Sequence, residues 1–386
     1  MRLAITGSAM VTSVGANKTE SFHAFTEGLS GRKPLQAFAP ERFNAQYAYE
    51  IADRSADASG TDRDEPLRAT RWLCQAICDA VREAELTDQD DFCVIVGTGL
   101  RELRSLEQFW TEGKDFSLSA LHFENAVEQA LGFSVPVITL CNACSASNFA
   151  LGLAEDLIQT DRYRTVVVAG CDSITESMYG LLDRVNPKPP ERVQPFERDR
   201  KGVLMGEGAA AVVVENPTIT TRRGVRPKAW LRGVGTSCDA HHETAPDVGG
   251  IARAIANAHQ RAKVRAHEID VIFVHGTGTH LNDATEAAAM RQVFGEAIKS
   301  IPISGLKSMT GHTSGASGLV GVVTAIESLR SALIPPTAEF THPMAEAEDM
   351  LVVYDRAIQQ SLTFAQVNAF GFGGVNAVAI IEKAAP

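Results

Sequence analysis

The sequence predicts an α/β protein built from two similar halves. Apolar runs of strand length alternate with segments of helical periodicity, which is typical of sheets covered by helices. Several of these runs, among them residues 166–169 and 210–214, contain few polar residues, as expected of strands buried on both faces. The third observation is a weak internal repeat, in which short segments of the first half recur in the second half.

The apolar runs define the candidate strands. They are residues 3–6, 94–96, 135–140, 166–169, 210–214, 271–274, 301–304 and 377–381. One helix is marked clearly by its periodicity between residues 67 and 84. The side chains on its apolar face are Leu73, Ile77, Ala80, Val81 and Ala84. Arg68 and Arg71 lie off that stripe.

Two pairs of segments carry the internal repeat. Val135-Pro136-Val137 leads into a turn with Cys144, and Ile301-Pro302-Ile303 leads into a turn with His312. In addition, residues 94–99 resemble residues 271–278. By themselves these pairs leave a true duplication and a chance likeness both open.

The repeat divides the chain into an N-terminal half, residues 1–220, and a C-terminal half, residues 221–386. The boundary falls in the polar stretch 216–228. With 386 residues, the chain is long enough for two cores of ordinary size. The proline-rich segment 187–195 predicts a rigid surface loop.

The composition limits the classes of function. Hydrophobic residues make up 45% and charged residues 22% of the chain, as in soluble globular proteins. The net charge of −11 argues against general binding to nucleic acids or anionic membranes, although a local basic patch would still bind an acidic partner. Thr6 and Ser8 interrupt the first apolar run, and no run approaches the ~18 residues of a membrane helix. We therefore expect neither a signal peptide nor a membrane span.

The cysteines and glycines exclude further classes. The chain has seven cysteines, an odd number whose spacings fit no metal-ligand pattern, so reduced thiols in the cytoplasm are the simplest interpretation. No segment has the phosphate-binding pattern G-x-x-x-x-G-K-[ST], and no G-x-G-x-x-G opens a helix. We expect no nucleotide.

Three short segments place reactive side chains among small residues. They are Asn142-Ala143-Cys144-Ser145-Ala146-Ser147, His275-Gly276-Thr277-Gly278-Thr279 and Lys307-Ser308-Met309-Thr310-Gly311-His312. One cysteine with two histidines is a smaller chemical class than one cysteine with one histidine. It favours carbon–carbon bond formation over hydrolysis.

Cys144 is the candidate nucleophile. The strand pattern 135–140 precedes it and helical spacing begins at Ser145, so Cys144 should lie at a strand-to-helix turn. Unpaired N–H groups and the helix macrodipole favour an anion there. We therefore predict a lowered thiol pKa and a raised thiolate fraction. Cys141, just before the turn, is interpreted as a packing residue.

His275 and His312 are the candidate partners of this thiol. His275 ends the strand 271–274, and His312 follows the strand 301–304, so both should lie at strand carboxyl ends, where α/β sheets build sites. An enolate formed during carbon–carbon bond formation carries its charge on an oxygen. Two neutral imidazoles carrying hydrogen on Nε2 would stabilise that charge.

Together with Gly371-Phe372-Gly373-Gly374, these segments resemble the condensing enzymes. The closest resemblance is to elongating beta-ketoacyl-[acyl-carrier-protein] synthases and to the ketosynthases of polyketide pathways. It runs nearly from end to end, because Leu3-Ala4-Ile5-Thr6-Gly7 and Gly206-Glu207-Gly208-Ala209 also match family segments. The resemblance implies the thiolase fold, with two duplicated βαβαβαββ halves in a five-layer αβαβα arrangement.

The resemblance also implies a supporting role for Lys307. This residue matches a lysine that organises the hydrogen bonds around the histidine at position 312. In some elongating synthases that lysine pairs with a glutamate, but Gly321 stands at the matching position here. Glu286 is the alternative partner.

Three more residues gain roles from the resemblance. Phe372 matches a phenylalanine that gates the acyl pocket, and its N–H would complete an oxyanion hole with that of Cys144. Glycines on both sides allow the close approach this requires. Thr277 and Thr279 match threonines that contact the phosphopantetheine arm of the substrate.

The implied partner is an acyl carrier protein, and no metal or redox cofactor is expected because the substrates travel on phosphopantetheine. A homodimer, or a heterodimer with a chain-length subunit, is also implied. Fatty acid and polyketide synthesis both remain open. Carriers are acidic, so we expect a basic rim around the site. The candidate docking residues are Arg68, Arg71, Arg198, Arg200 and Lys201.

Four other classes of protein have features that can be compared with this sequence. A thiolase would need a second cysteine in a C-terminal C-x-G motif, but no cysteine follows Cys238. Starter-type condensing enzymes carry asparagine where His312 stands. A non-enzymatic chain-length partner typically lacks the nucleophile, and a simple Cys–His hydrolase would release free acid without a malonyl substrate. The last two are separated by experiment.

Overall fold

The computed structural model describes residues 2–54, 64–186 and 188–385. Pro187, the first residue of the predicted proline-rich loop, lies outside the described residues. The strands are β1 (Leu3–Thr12), β2 (Lys33–Pro34), β3 (Tyr47–Ala48), β4 (Phe92–Gly97), β5 (Val137–Leu140), β6 (Thr165–Asp172), β7 (Gly208–Glu215), β8 (Ala229–Cys238), β9 (Val271–Phe273), β10 (Ile303–Ser304), β11 (Leu333–Ile334), β12 (Ile358–Gln359), β13 (Phe364–Gly371) and β14 (Val375–Lys383). The helices are α1 (Lys18–Thr26), α2 (Arg68–Glu83), α3 (Leu103–Glu112), α4 (Glu124–Leu131), α5 (Ala146–Gln159), α6 (Glu176–Val185), α7 (Pro217–Arg223), α8 (Val248–Ala262), α9 (His280–Phe294), α10 (Lys307–Thr310) and α11 (Ser317–Ser331).

Two groups of five strands share one topology. The first has the order β5-β4-β6-β7-β1 and the second β10-β9-β13-β14-β8. Parallel and antiparallel pairs occur at matching positions in both groups. β1 and β8 pair with each other and join the groups into one ten-stranded sheet. The predicted internal repeat is confirmed, since β4 matches β9 and β5 matches β10.

Helices separate and cover these strands in five layers. α5 packs against both β6 and β8, and α11 packs against both β7 and β13, so these two helices lie between the two groups of strands. α2 covers the outside of β1, β6 and β7. On the other outer face, α8 covers β8 and β14, and α9 packs against α8. The five-layer αβαβα arrangement implied by the resemblance is therefore present.

The central helices enter the core at matching places. α5 follows a short turn after β5, and α11 follows a turn after β10 and α10. The central core includes Ala150 and Leu151 of α5 together with Leu319 and Val323 of α11. Burial of such side chains stabilises the fold by about 1.5–3 kcal/mol each. The duplicated fold thus directs two turns, one before each central helix, toward the same region.

The elements agree with the sequence patterns except where the patterns are mixed. Every candidate strand overlaps an observed strand, and the predicted helix 67–84 is α2. Six strands were not predicted: the two-residue strands β2, β3, β11 and β12, and the longer strands β8 and β13 of the ten-stranded sheet. β8 contains Gly233 and Gly235, which weaken a strand pattern, and β13 carries Gln366 and Asn368 at buried positions.

Within the described parts of the chain, every helix is too short or too polar to cross a bilayer.

Candidate active site

Cys144 lies in a sharp turn between β5 and α5, as predicted. A short 3-10 segment, Ala143–Ser145, forms this turn. Asn142 closes it, because its carbonyl accepts hydrogen bonds from the N–H of Ser145 at 3.3 Å and from the Ser145 hydroxyl at 2.9 Å. Ala143 adopts φ +49°, a left-handed conformation that costs energy for a residue with a Cβ. The turn therefore projects the thiol away from the strand.

The loop between β13 and β14 packs directly on this turn. A Cβ at Gly371 would lie 3.2 Å from the backbone nitrogen of Cys144, tighter than ordinary van der Waals contact, so glycine favours this approach. The loop is closed by a 3.1 Å hydrogen bond from the Gly374 N–H to the Gly371 carbonyl. Phe372 is exposed at its tip, and its backbone N–H lies within hydrogen-bonding reach of the Cys144 sulfur.

The surroundings of Cys144 raise its thiol pKa, whereas the sequence predicted a lowered one. Burial, together with the Asp172 carboxylate, raises the pKa of Cys144 to about 11. The Lys307 ammonium and the backbone N–H groups of Phe372 and of Cys144 itself oppose this rise. The predicted lowering of the thiol pKa is therefore wrong for the free protein, because desolvation of the sulfur outweighs the nearby N–H groups.

The pH dependence of Cys144 alkylation should report this raised pKa. Iodoacetamide reacts with the thiolate, and a pKa of about 11 leaves a thiolate fraction of about 10⁻⁴ at pH 7. The rate should rise about tenfold per pH unit from pH 7 to pH 10 without reaching a plateau. Mass spectrometry of the labelled peptide measures it, with a Cys144→Ser variant giving the background from the exposed Cys141. A plateau below pH 8 would contradict it.

His275 follows β9 and is held by its backbone and by its ring. Its N–H donates to Glu286 Oε1 at 2.8 Å. Its Nδ1 accepts the backbone N–H of Phe370 at 3.3 Å. Because a backbone N–H can only donate, the Nδ1 of the neutral ring carries no hydrogen and the hydrogen lies on Nε2.

His312 is fixed in the same way by other partners. Its N–H donates to the Leu204 carbonyl at 2.9 Å, and its carbonyl accepts from the Gly206 N–H at 3.0 Å. The ring Nδ1 accepts the Ser314 N–H at 3.2 Å and lies 3.1 Å from the Ser317 hydroxyl. The hydrogen of this ring is therefore also on Nε2.

The two rings lie together and are neutral. Their centroids are 5.5 Å apart and their planes are nearly perpendicular, at 83°. Both side chains are buried, and burial, with the Lys307 ammonium second, holds the pKa of both His275 and His312 well below the ordinary range. The turn that carries Cys144 packs against the turn Ser314–Ala316 that follows His312. The structure thus brings the three predicted residues into one site.

Lys307 is buried beside His275 rather than His312. Its ammonium donates to the His275 carbonyl and lies 3.4 Å from His275 Nδ1. Burial lowers the pKa of Lys307 to about 8, against the charges of Glu286 and Cys144. The resemblance implied that Lys307 organises the hydrogen bonds around His312. That expectation is wrong, because Lys307 contacts His275 instead. A cavity of about 20 Å³ adjoins Lys307 and Gly321.

Glu286 has a different role from the one expected. Among the described residues no ion pair joins it to Lys307. Its carboxylate instead accepts the N–H of His275 at 2.8 Å, the N–H of Gly276 at 2.9 Å and the side-chain amide of Asn368 at 2.9 Å. Glu286 therefore fixes the backbone that carries His275.

Thr277 and Thr279 lie in the turn after β9. Their hydroxyls bond each other at 2.9 Å. Thr279 also caps α9, accepting the Asn282 N–H at 3.3 Å, and the Thr277 N–H donates to Asp283 at 3.1 Å. Contact with a phosphopantetheine arm stays a prediction.

Two of the predicted docking residues are buried, and for these the prediction is wrong. The Arg68 side chain is 2% exposed and pairs with Asp64 at 3.2 Å and Glu207 at 2.8 Å. The Arg200 side chain is 5% exposed and donates to the carbonyls of Glu197, Thr279 and His280. Neither presents its charge at the surface. The exposed candidates are Arg71, Arg198 and Lys201, with side chains 49%, 59% and 45% exposed.

Two residues near Cys144 were missed or misread. Asp172, at the end of β6, is fully buried and accepts four hydrogen bonds, from the Thr98 hydroxyl and the N–H groups of Gly99, Leu100 and Gly315. Burial raises its pKa to about 6. A carboxylate three residues beyond the end of the apolar run 166–169 was the available signal. Cys141, predicted to pack inside, is exposed, with its sulfur 3.0 Å from Arg101 Nε.

A search of the described residues for three or more clustered His, Cys, Asp or Glu side chains that could hold a metal ion finds none.

A duplicated five-layer α/β fold with a cysteine turn beside two histidine rings is the architecture of the condensing enzymes. Comparison with known families agrees: residues 1–218 match the N-terminal domain of beta-ketoacyl synthases and residues 228–341 match their C-terminal domain. The chain belongs to the beta-ketoacyl synthase family.

Individual relatives match over nearly the whole chain. The 3-oxoacyl-[acyl-carrier-protein] synthase 2 of Synechocystis sp. is 29% identical over 99% of this chain and 98% of its own. Nodulation protein E of Rhizobium meliloti is 29% identical over 99% of each. Among solved structures, the ishigamide ketosynthase/chain length factor is 31% identical with a TM-score of 0.89, over 100% of this chain and 99% of that chain.

Proposed function

We propose that this chain is a beta-ketoacyl synthase that lengthens an acyl chain by decarboxylative condensation with malonyl-carrier protein. The observation that carries the proposal is the hydrogen bonding of the two rings. Backbone N–H groups occupy Nδ1 of both His275 and His312, so both rings keep a hydrogen on Nε2. Two neutral donors suit an enolate oxygen, whereas a hydrolase needs a base that accepts the thiol proton.

In the first half-reaction, the Cys144 sulfur attacks the thioester carbonyl of an acyl-carrier protein. The carbon–sulfur bond to phosphopantetheine breaks, and the departing thiolate takes up the proton released by Cys144. The N–H groups of Cys144 and Phe372, which converge near the sulfur, would hold the tetrahedral oxyanion. Glycine at position 371 supports this role, because it lets the loop approach.

In the second half-reaction, malonyl-carrier protein replaces the first carrier. Its carbon–carboxylate bond breaks, CO₂ leaves, and the electron pair forms an enolate whose oxygen faces the Nε2–H groups of His275 and His312. The enolate carbon then attacks the acyl-Cys144 carbonyl, and the Cys144 sulfur leaves as thiolate. The product is a beta-ketoacyl thioester on the carrier. No step requires a metal or redox cofactor, and EDTA should leave the rate unchanged.

Acyl loading read by intact mass tests the proposal. The protein incubated with a panel of acyl-carrier proteins should gain the mass of one acyl group, and Cys144→Ser should gain none under the same conditions. Adding malonyl-carrier protein should then release CO₂ and free the enzyme of its acyl group. No acyl adduct would favour a non-enzymatic chain-length partner. Free acid released without malonyl-carrier protein would favour a hydrolase.

Two biosynthetic pathways use the proposed reaction. The relatives include 3-oxoacyl-[acyl-carrier-protein] synthases and a structure named as a ketosynthase/chain length factor, so both fatty acid and polyketide synthesis fit. The acyl groups that load in the panel decide between them. The free state of all seven cysteines supports a cytoplasmic location.

Carrier docking should depend on the exposed cations. Arg71, Arg198 and Lys201 retain surface charge, although each has a carboxylate within 4 Å. Reversing two of them, as in Arg198→Glu with Lys201→Glu, should weaken carrier binding about tenfold and flatten its salt dependence. Titration calorimetry at two salt concentrations measures both, with Arg82→Glu as the exposed control. Unchanged affinity would exclude this surface.

A dimer is proposed from the edge of the first group of strands. β5 pairs with β4 on one side, and the described residues provide no strand on its other side. Ile138 in β5 is an exposed hydrophobic residue at this edge. An unpaired apolar edge is a surface that a second chain would cover. Native mass spectrometry of the chain, alone and with a co-expressed chain-length subunit, distinguishes homodimer, heterodimer and monomer.

A further inference from the structure

A chain of buried polar side chains runs from helix α8 to the backbone of His275. Its members are His259 in α8, Gln366 and Asn368 in β13, and Glu286 in α9. His259 Nε2 lies 2.7 Å from Gln366 Oε1, Gln366 Nε2 lies 2.8 Å from Asn368 Oδ1, and Asn368 Nδ2 lies 2.9 Å from Glu286 Oε1. None of the four is more than 7% exposed. The contacts form one continuous path.

The donors along this path all point toward Glu286. A carboxylate only accepts, so Asn368 presents its amide hydrogens to Glu286 and its oxygen to Gln366. Gln366 then presents its own oxygen to His259, which donates from Nε2. Burial holds the pKa of His259 below its ordinary value, so this ring is neutral. Aligned hydrogen bonds polarise and strengthen one another.

The path ends on the backbone that carries the His275 ring. Glu286 accepts the N–H groups of His275 and Gly276 through its two oxygens. Burial raises the pKa of Glu286 to about 7, and these hydrogen bonds with that of Asn368 oppose the rise. The charged and titratable groups that face Glu286 are Asp283 from its own helix, Lys307 from α10 and His275. A well-oriented Asn368 amide therefore favours the carboxylate form.

The fold does not require polar side chains at the outer end of this path, where His259 and Gln366 lie. His259 and Gln366 are buried, and His259 packs on Phe294 of an apolar cluster; burying polar groups is costly unless each is paired. Two apolar residues would fill the same space without that requirement. What the polar pair adds is a fixed orientation for the Asn368 amide.

We propose that His259 and Gln366 are positioning residues for the His275 ring. They orient the Asn368 amide, the amide orients the Glu286 carboxylate, and the carboxylate holds the His275 and Gly276 N–H groups. This inference rests on the proposed function, because it assigns both residues to the decarboxylating half of that reaction.

A pair of His259 variants tests the donor directly. His259→Phe keeps a ring against Phe294, where the centroids are now 5.2 Å apart, but removes the Nε2 hydrogen. Its kcat for malonyl decarboxylation should fall about fivefold with KM unchanged, whereas His259→Gln, which retains a donor, should stay within about twofold of wild type. Wild-type kcat in His259→Phe would overturn the proposal.

A double variant separates positioning from stability. His259→Phe leaves the Gln366 oxygen without its donor, which should lower Tm. Adding Gln366→Met removes that unpaired oxygen but also the amide that donates to Asn368 Oδ1, so kcat should stay low whether or not Tm rises again. Recovery of kcat together with Tm would show a purely structural role and overturn the proposal.

Amide hydrogen exchange gives a measurement that needs no activity. In His259→Phe, the amides of His275 and Gly276 should exchange about fivefold faster, because the carboxylate that binds them is less well held. The control is Asn257→Ala in the same helix, whose side chain bonds the Thr236 carbonyl. Unchanged exchange in His259→Phe would overturn the inference. If exchange responds but the wild-type chain neither loads acyl groups nor decarboxylates, the proposed function fails and the positioning network stands.

Discussion

Replacing either His275 or His312 by phenylalanine should lower the rate of malonyl decarboxylation by about 10²–10³-fold. Each ring presents an Nε2 hydrogen, and loss of one donor to a developing oxyanion costs about 2.7–4 kcal/mol. Phenylalanine keeps an aromatic ring of similar size in the buried site and removes the donor. CO₂ release from malonyl-carrier protein at saturating substrate measures the effect.

Acyl loading of Cys144 is the internal control for these variants. The first half-reaction uses the N–H groups of Cys144 and Phe372, so loading should stay within about tenfold of wild type. Loss of both half-reactions would indicate a collapsed site, and circular dichroism would test for it. Decarboxylation at the wild-type rate in either variant would remove that ring from the mechanism.

The neutral state of the rings adds a pH criterion. Burial and Lys307 hold the pKa of both histidines well below the ordinary range. A lowered histidine pKa means that the ring gains its proton only at lower pH. Decarboxylation should therefore show no histidine-dependent loss between pH 8 and pH 6, where an ordinary imidazole would titrate.

The sequence could predict the site where chemistry and local pattern coincide. Cys144, His275 and His312 each follow an apolar strand run and lie among small residues, so their turns were visible in the chain. The duplication was visible for the same reason, because the strands before the Cys144 and His312 turns share an apolar–Pro–apolar pattern. Fold and reactive residues were therefore both accessible.

What the sequence could not predict depends on partners far away in the chain. Arg68 lies off the apolar stripe of α2 and suggests a surface charge, but Glu207, 139 positions away, draws it inside. The thiol pKa of Cys144 is set by burial and by Asp172 as well as by the helix terminus. Likewise, β13 could not be predicted, because the polar residues Gln366 and Asn368 interrupt its apolar pattern. Their burial depends on partners that lie elsewhere in the chain.

Lys307→Met should lower the condensation rate about 10²-fold while leaving the fold intact. Lys307 is the largest influence that lowers the thiol pKa of Cys144, and it donates to the His275 carbonyl. Without the ammonium, that pKa rises above about 11, so the thiolate becomes scarcer at every pH below it. Acyl loading should slow accordingly, and the loss of a preorganised charge accounts for the rest. Stopped-flow loading and condensation assays measure both.

The free energy of unfolding of Lys307→Met should not fall along with its condensation rate. A buried cation is costly to desolvate, as the lowered pKa of Lys307 shows, and removing the charge removes that cost together with the hydrogen bond to the His275 carbonyl. The free energy of unfolding should therefore change by less than about 1 kcal/mol in Lys307→Met, and Lys299→Met at an exposed ion pair serves as the control. Removing the Lys307 charge also removes one cause of the lowered pKa of both histidines, while burial, the larger cause, remains. The loss of decarboxylation at acid pH should therefore begin at a higher pH in the variant than in the wild type. Coinciding pH profiles, with loading unchanged, would show that Lys307 is not the charge that tunes this site.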